Sequence, residues 1–152
     1  MLTEGTIAPD FELPDRSGKL QTLDSLAGGC PLVLVFYRVS CPVCQFTFPF
    51  LERVSNGELS IAGVSQDDAE GTAEFYEELG LTLPSVIEKR GWPVGSAYRI
   101  TNVPTLFVIE PVSKAISMAL TGFAKAALEA IGQRAGLAPF APDELIPAFR
   151  PG

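Results

Sequence analysis

Two cysteines three positions apart, Cys41 and Cys44, form the one pattern in this chain whose spacing by itself suggests chemistry. With three cysteines among 152 residues, some pair falls at this spacing by chance only roughly 4% of the time. Their setting adds to the spacing. Cys41-Pro42-Val43-Cys44 follows the apolar run Pro31 to Tyr37 and opens a segment that reads as a helix. A first sulfur placed there faces the free amides and positive end of the helix, a setting that favours thiolate chemistry. Cys44 stands one helical turn further on, within reach of Cys41. An exposed first cysteine above a covered second is the layout for attack on a disulfide, a mixed disulfide and its resolution. An inert pair, or half of a metal site shared with another chain, would carry the same spacing.

What is missing narrows the chemistry as much as what is present. The chain has no histidine, which removes every Ser-His or Cys-His nucleophile pair and every His-bearing zinc or copper site. Three cysteines are too few for a disulfide framework or a four-thiolate zinc site. No metal is expected. No flavin or nicotinamide motif is present, so no cofactor is expected either. The third cysteine, Cys30, lies in a Gly28-Gly29-Cys30-Pro31 turn and reads as a bystander.

The elements that must position the pair follow from the apolar pattern. Phe11 to Leu13 and Leu20 to Leu23 read as two short strands around an Asp15-Arg16-Ser17-Gly18 turn. Pro31 to Tyr37 is continuously β-branched and aromatic, as in a strand buried on both faces of a parallel sheet. Cys41 to Val54 reads as a helix, with Pro42 tolerated in its first turn and Pro49 expected to kink it. A strand over Ser60 to Ser65 follows, then a helix opened by an Asp67/Glu70 capping box and stopped at Gly80. Val86 to Glu88 is a weak strand, and Pro93 to Tyr98 one or two helical turns. Thr105 to Ile109 and Ala115 to Leu120 read as paired strands, and Phe123 to Ala135 as the last helix. The four prolines between 136 and 152 suggest an extended strap, with Phe140, Leu145, Ile146 and Phe149 docking onto the body. The order is that of an α/β fold with a mixed sheet flanked by helices. One domain is expected over 1–152, with residues 1–30 as an N-terminal hairpin extension and 137–152 as the strap.

Composition bounds the partners. At 47% hydrophobic and 19% charged the chain is an ordinary globular sequence. Its net charge of −7 argues against nucleic acid or an anionic membrane as partner. No targeting segment and no membrane-length apolar stretch is visible in these residues, so a cytoplasmic protein is expected.

At this point the chain resembles the thioredoxin-like superfamily. Phe36-Tyr37-Arg38-Val39-Ser40-Cys41-Pro42-Val43-Cys44 stands where thioredoxins carry an aromatic strand end and Cys-x-x-Cys, and Pro49 where they kink the following helix. Val103-Pro104-Thr105 looks like the cis-proline loop of that family, and Gly122 also fits the pattern. Ala8-Pro9-Asp10-Phe11-Glu12-Leu13 resembles the opening of the redoxin branch, shared by peroxiredoxins and thioredoxin-like reductases. The resemblance implies a thioredoxin-like sheet and a thiol–disulfide oxidoreductase with antioxidant activity, in which Cys41 attacks and Cys44 resolves. It also implies that Val103 and Pro104 bind substrate, since a cis proline exposes the preceding backbone to a strand-like peptide. Protein disulfides would be reduced with electrons from a separate reductase.

The departures from that family are specific. Ser40 replaces the tryptophan usual before the first cysteine, and Val35 replaces the buried acid usual on the strand. Asp67 is a candidate replacement acid, although it already reads as a helix cap. Phe46, Phe48 and Phe50 read as core, Trp92 as half-buried packing and Arg38 as a solvated side chain. A peroxiredoxin-like peroxidase is the nearest rival, supported by the N-terminal motif and by Gly63-Val64-Ser65-Gln66-Asp67. Peroxiredoxins, however, place Thr or Ser three residues before the reactive cysteine and Pro seven before, where this chain has Arg38 and Leu34. Metal delivery by the two thiols is the third reading, without the histidine that copper chaperones of the superfamily add.

Overall fold

The computed structural model describes residues 1–152. Its centre is strand β3, Leu32–Tyr37, every residue of which is buried. The side chains alternate between two cores. Val33, Val35 and Tyr37 point to one, Leu32, Leu34 and Phe36 to the other. Six consecutive apolar residues can be buried this way only if both faces of the sheet are covered.

The first face is covered by three helices: α2 (Pro42–Val54), α3 (Ala69–Leu79) and α5 (Lys125–Ala135). Phe48, Leu51 and Val54 of α2 pack there with Phe75 of α3 and Leu128 and Ile131 of α5. The second face is covered by the N-terminal segment with α1 (Leu23–Ala27) and α4 (Pro93–Ala97). Ala8, Phe11, Leu23 and Tyr98 pack there against Leu34, Phe36 and Phe107.

Five strands make the sheet, in the order β5-β4-β3-β6-β7. Strands β4 (Ser60–Ser65) and β5 (Ser85–Ile87) continue β3 in parallel, β6 (Thr105–Ile109) runs antiparallel to β3, and β7 (Ile116–Thr121) antiparallel to β6. This is the mixed sheet expected from the sequence. The hairpin of β1 (Leu13–Pro14) and β2 (Leu20–Gln21) is also present. The N-terminal segment crosses the whole sheet, bridging Ile7 to Ala115 beyond one edge and Asp15 to Val86 at the other.

Three local expectations are corrected. Leu23 begins a helix instead of ending a strand, because Thr22 and Ser25 form a capping box: the Thr22 hydroxyl accepts from Ser25 N and the Ser25 hydroxyl from Thr22 N. Helix α3 is capped by Asp68, whose carboxylate accepts from Gly71 N at 2.7 Å. Asp67 is drawn elsewhere, to the amide of Val39 at 2.8 Å. The strap docks in part only. Phe140 and Ile146 pack on the core, with Phe140 4.9 Å from the Phe50 ring centroid. Leu145 is 99% exposed and Phe149 55%. Arg53 grips the first part of the strap, donating to Pro139 O and pairing with Glu144, and beyond Ile146 the chain is held by a short backbone ladder and by Arg150 over the Phe46 ring. Strand β8 (Phe123–Ala124) precedes α5 and pairs with β9 (Phe149–Arg150). No helix is long and apolar enough to cross a membrane.

The reassigned cap has a measurable consequence. Asp68→Ala removes the acceptor for Gly71 N and is expected to lower the unfolding free energy by about 1 kcal/mol. Urea denaturation followed by circular dichroism reads it; an unchanged midpoint would refute the assignment of Asp68 as the cap.

Candidate active site

Strand β3 ends at Tyr37, and a short turn carries the chain to Cys41, the residue that caps α2. Pro42 takes the first helical position, where its missing N–H leaves no gap in the helix. The cap is made by sulfur: Cys41 Sγ accepts from Cys44 N at 3.2 Å. The same sulfur lies 3.5 Å from the carbonyl oxygen of Val103, toward which its S–H points. The Val103–Pro104 bond is cis. The structure thus brings Cys41, Cys44 and Val103 together, with Pro104 adjacent.

The two thiols sit in different environments. Cys41 is half-buried and opens onto a groove, whereas Cys44 is completely buried beneath it. Burial pushes the Cys44 thiol far above the ordinary value, and the neighbouring Cys41 and the charge of Asp67 push the same way. Cys44 therefore holds its proton through neutral pH. Cys30 is remote from both. It precedes β3 whereas Cys41 follows it, and a six-residue strand separates them by about 20 Å. All three cysteines are free thiols.

The groove has a volume of about 460 Å³, and Arg38, Gln66, Trp92 and Val103 line it beside Cys41. Its wall is a hydrogen-bonded chain. Buried Glu88 accepts from Gly95 N at 2.7 Å and takes the Gln66 amide nitrogen at 3.4 Å. Gln66 Oε1 accepts from Arg38 Nε at 3.1 Å, and the Gln66 carbonyl accepts from Trp92 Nε1. The Arg38 guanidinium lies 4.2 Å from the Trp92 ring centroid. Trp92 is half-buried packing, as its sequence reading has it, and also walls the groove; Arg38 is exposed, but tethered to Gln66 rather than free in solvent. Gln66 and Glu88 were not singled out as a pair at all. Their link forms across the parallel strands β4 and β5, and nothing in linear spacing signals it.

Where a buried acid would stand on the central strand, Val35 is fully buried among apolar neighbours. Asp67 is free of the cap, and its carboxylate instead fixes the turn before Cys41 through Val39 N. No group of three or more Cys, Asp or Glu side chains is arranged to hold a metal ion.

The raised proton affinity of Cys44 can be read directly. In a Cys41→Ser chain at pH 8, iodoacetamide should alkylate Cys44 at least tenfold more slowly than after unfolding in urea, because the folded thiol is both covered and protonated. The linkage has a definite sign. The folded thiol binds its proton more tightly than the unfolded one, so the stabilisation is complete below the ordinary value of 9.0 and is lost as pH rises above it. Equal alkylation rates in the two states would refute this account.

Comparison with known proteins places this geometry. The thiol-disulfide oxidoreductase ResA of Bacillus subtilis is 27% identical over 122 residues, covering 77% of this chain and 67% of that protein. The thioredoxin domain of a thiol-disulfide oxidoreductase from Bacteroides vulgatus superposes with a TM-score of 0.78 at 20% identity, covering 89% of this chain and 99% of that one. A secreted Mycobacterium tuberculosis disulfide oxidoreductase superposes with a TM-score of 0.68 at 21% identity, covering 83% and 94%. The fold is thioredoxin-like. The chain spans about half to two thirds of the length of the curated relatives it matches. The cytoplasmic expectation is corrected by these likenesses, which point away from the cytoplasm. That expectation rested on finding no leader in these residues, and such an absence carries no information about destination. The AhpC/TSA family model matches residues 5–116, and the chain belongs to that family.

Proposed function

We propose that this protein is a thiol–disulfide oxidoreductase acting on protein disulfides, with Cys41 as attacking and Cys44 as resolving thiol. The observation that carries the reading is the asymmetry of the pair: one sulfur in a groove, stabilised by a helix-end amide, above a second that is buried and protonated. The named activity of ResA agrees with it.

The steps balance in atoms and electrons. Cys41 thiolate attacks one sulfur of the substrate disulfide, and the other sulfur leaves as a thiolate that takes a proton from solvent. The Cys44 thiol then gives its proton to solvent and attacks Cys41 Sγ. The second substrate sulfur departs as a thiolate that takes up a proton in turn, and Cys41 and Cys44 are left joined as a disulfide. Two electrons have passed to the substrate, and a separate reductase returns them. The backbone of Val103, beside the attacking sulfur, and Pro104 form the floor on which an extended substrate lies. Reduction of the substrate is the expected direction because the uncharged Pro42-Val43 between the thiols supplies no charge to stabilise the reduced pair and make it a strong oxidant.

Cys44→Ser should trap substrates as covalent adducts that dithiothreitol releases, because the intramolecular exit from the mixed disulfide is gone, while Cys41→Ser should trap almost none. Equal trapping by both variants would reverse the assigned roles. Rapid peroxide consumption with oxidation of Cys41 to a sulfenic acid, and no adducts, would establish the peroxidase instead. Cys30→Ser, remote from the groove, should leave insulin reduction within about twofold of the unsubstituted chain; a tenfold loss, about 1.4 kcal/mol of barrier, would bring Cys30 into the mechanism.

A further inference from the structure

The edge beside Cys41 on which a substrate strand would lie is already occupied. Residues 149–150 form an antiparallel pair with β8, Phe123 opposite Arg150 and Ala124 opposite Phe149, and Lys125 N donates to Ala148 O at 2.9 Å. The segment then runs on past Gly122 toward Val103. Gly122, at φ 85°, lets it approach closely, since a Cβ there would stand 2.4 Å from Arg150 O. A Cβ on Gly152 would stand 2.8 Å from Val103 O, the carbonyl that Cys41 Sγ also faces. Gly152 shares the groove with Cys41.

We propose that residues 149–152 are an intramolecular competitor for the substrate: they hold the Val103 and Phe123–Ala124 edge as a strand, and an extended peptide docks there only when they have left. The inference rests on the oxidoreductase reading and adds to it a docking surface and the device that guards it. The partner this surface fits is an extended backbone, bound through main-chain hydrogen bonds as β-strand addition requires. The segment is built to leave. All four of its residues are exposed, and apart from the two-residue ladder its visible hold is the Arg150 guanidinium 4.1 Å from the Phe46 ring centroid. The strap before it is anchored independently by Arg53, Phe140 and Ile146, so residues 149–152 can swing away without unpacking the core. With the edge filled for most of the time, the apparent affinity for a strand-like substrate falls by the fraction of molecules in which it is open.

The test uses the full chain carrying Gly152→Val, whose side chain cannot fit against Val103 O, and separately Arg150→Glu, which removes the cation from the Phe46 ring. Each should lower the KM for insulin reduction at least threefold with kcat changed less than twofold. A KM unchanged in both, or raised in either, would overturn the proposal. A second measurement does not depend on turnover. A synthetic peptide with the sequence of residues 146–152, titrated against the backbone amide signals of Val103 and Gly122, should bind the Gly152→Val chain at least tenfold more tightly than the unsubstituted chain. Equal affinity, or no binding to either, would overturn the proposal. Failure of the unsubstituted chain to reduce any disulfide would instead refute the oxidoreductase reading and leave the peptide titration to decide the role of the segment.

Discussion

The strand Leu32–Tyr37 has no face to water, and the rest of the architecture follows from that constraint. A sheet buried on one side could have been a hairpin layer with polar residues outward. Six apolar residues in succession force cover on both sides, with α2, α3 and α5 on one and the N-terminal segment with α1 and α4 on the other. The same constraint locates the chemistry. At its C-terminal end a short turn leads into α2, and Cys44 N, one of the first helical amides that have no carbonyl partner within the helix, meets the sulfur of Cys41.

Burial also separates the roles of two chemically identical thiols. Cys41 is at the rim of the core and Cys44 one turn deeper, in the same buried cluster as Val35, Tyr37 and Phe48. Desolvation penalises a thiolate at Cys44 far more than the helix end can favour it, so in the proposed mechanism the deeper sulfur waits as a thiol until the mixed disulfide brings a target to it. Val35 offers no carboxylate from below to accept the Cys44 proton. Asp67, held by its hydrogen bond to Val39 N, places a negative charge beside the turn, which further favours the protonated Cys44.

Opposite the sulfur, polar residues are organised by a buried carboxylate. Glu88 could not remain 3% exposed without partners, and Gly95 N and Gln66 supply them. Gln66 passes that order outward to Arg38 and Trp92, which stack at the groove wall. A rigid wall there and a displaceable strand on the other side give the groove one fixed and one movable border.

The sequence alone determined most of the sheet, its main helices and the Cys41/Cys44 pair, because these are written in short-range patterns: the run Leu32–Tyr37, the alternation from strands to helices, and two cysteines one helical turn apart. It also determined the redoxin likeness, through Cys41-Pro42-Val43-Cys44 and Val103-Pro104-Thr105. Where two neighbouring residues competed for one local role, pattern was insufficient. Asp67 and Asp68 both suit a helix cap, and the amide of Val39, distant in sequence, drew Asp67 away. Leu20 to Leu23 suits a strand until Thr22 and Ser25 close a capping box. The groove wall of Glu88, Gln66, Arg38 and Trp92, and the seating of residues 149–152 beside Val103, were decided only by tertiary structure. Each depends on long-range distances set by the packing of the two cores, and no spacing along the chain encodes a distance of that kind.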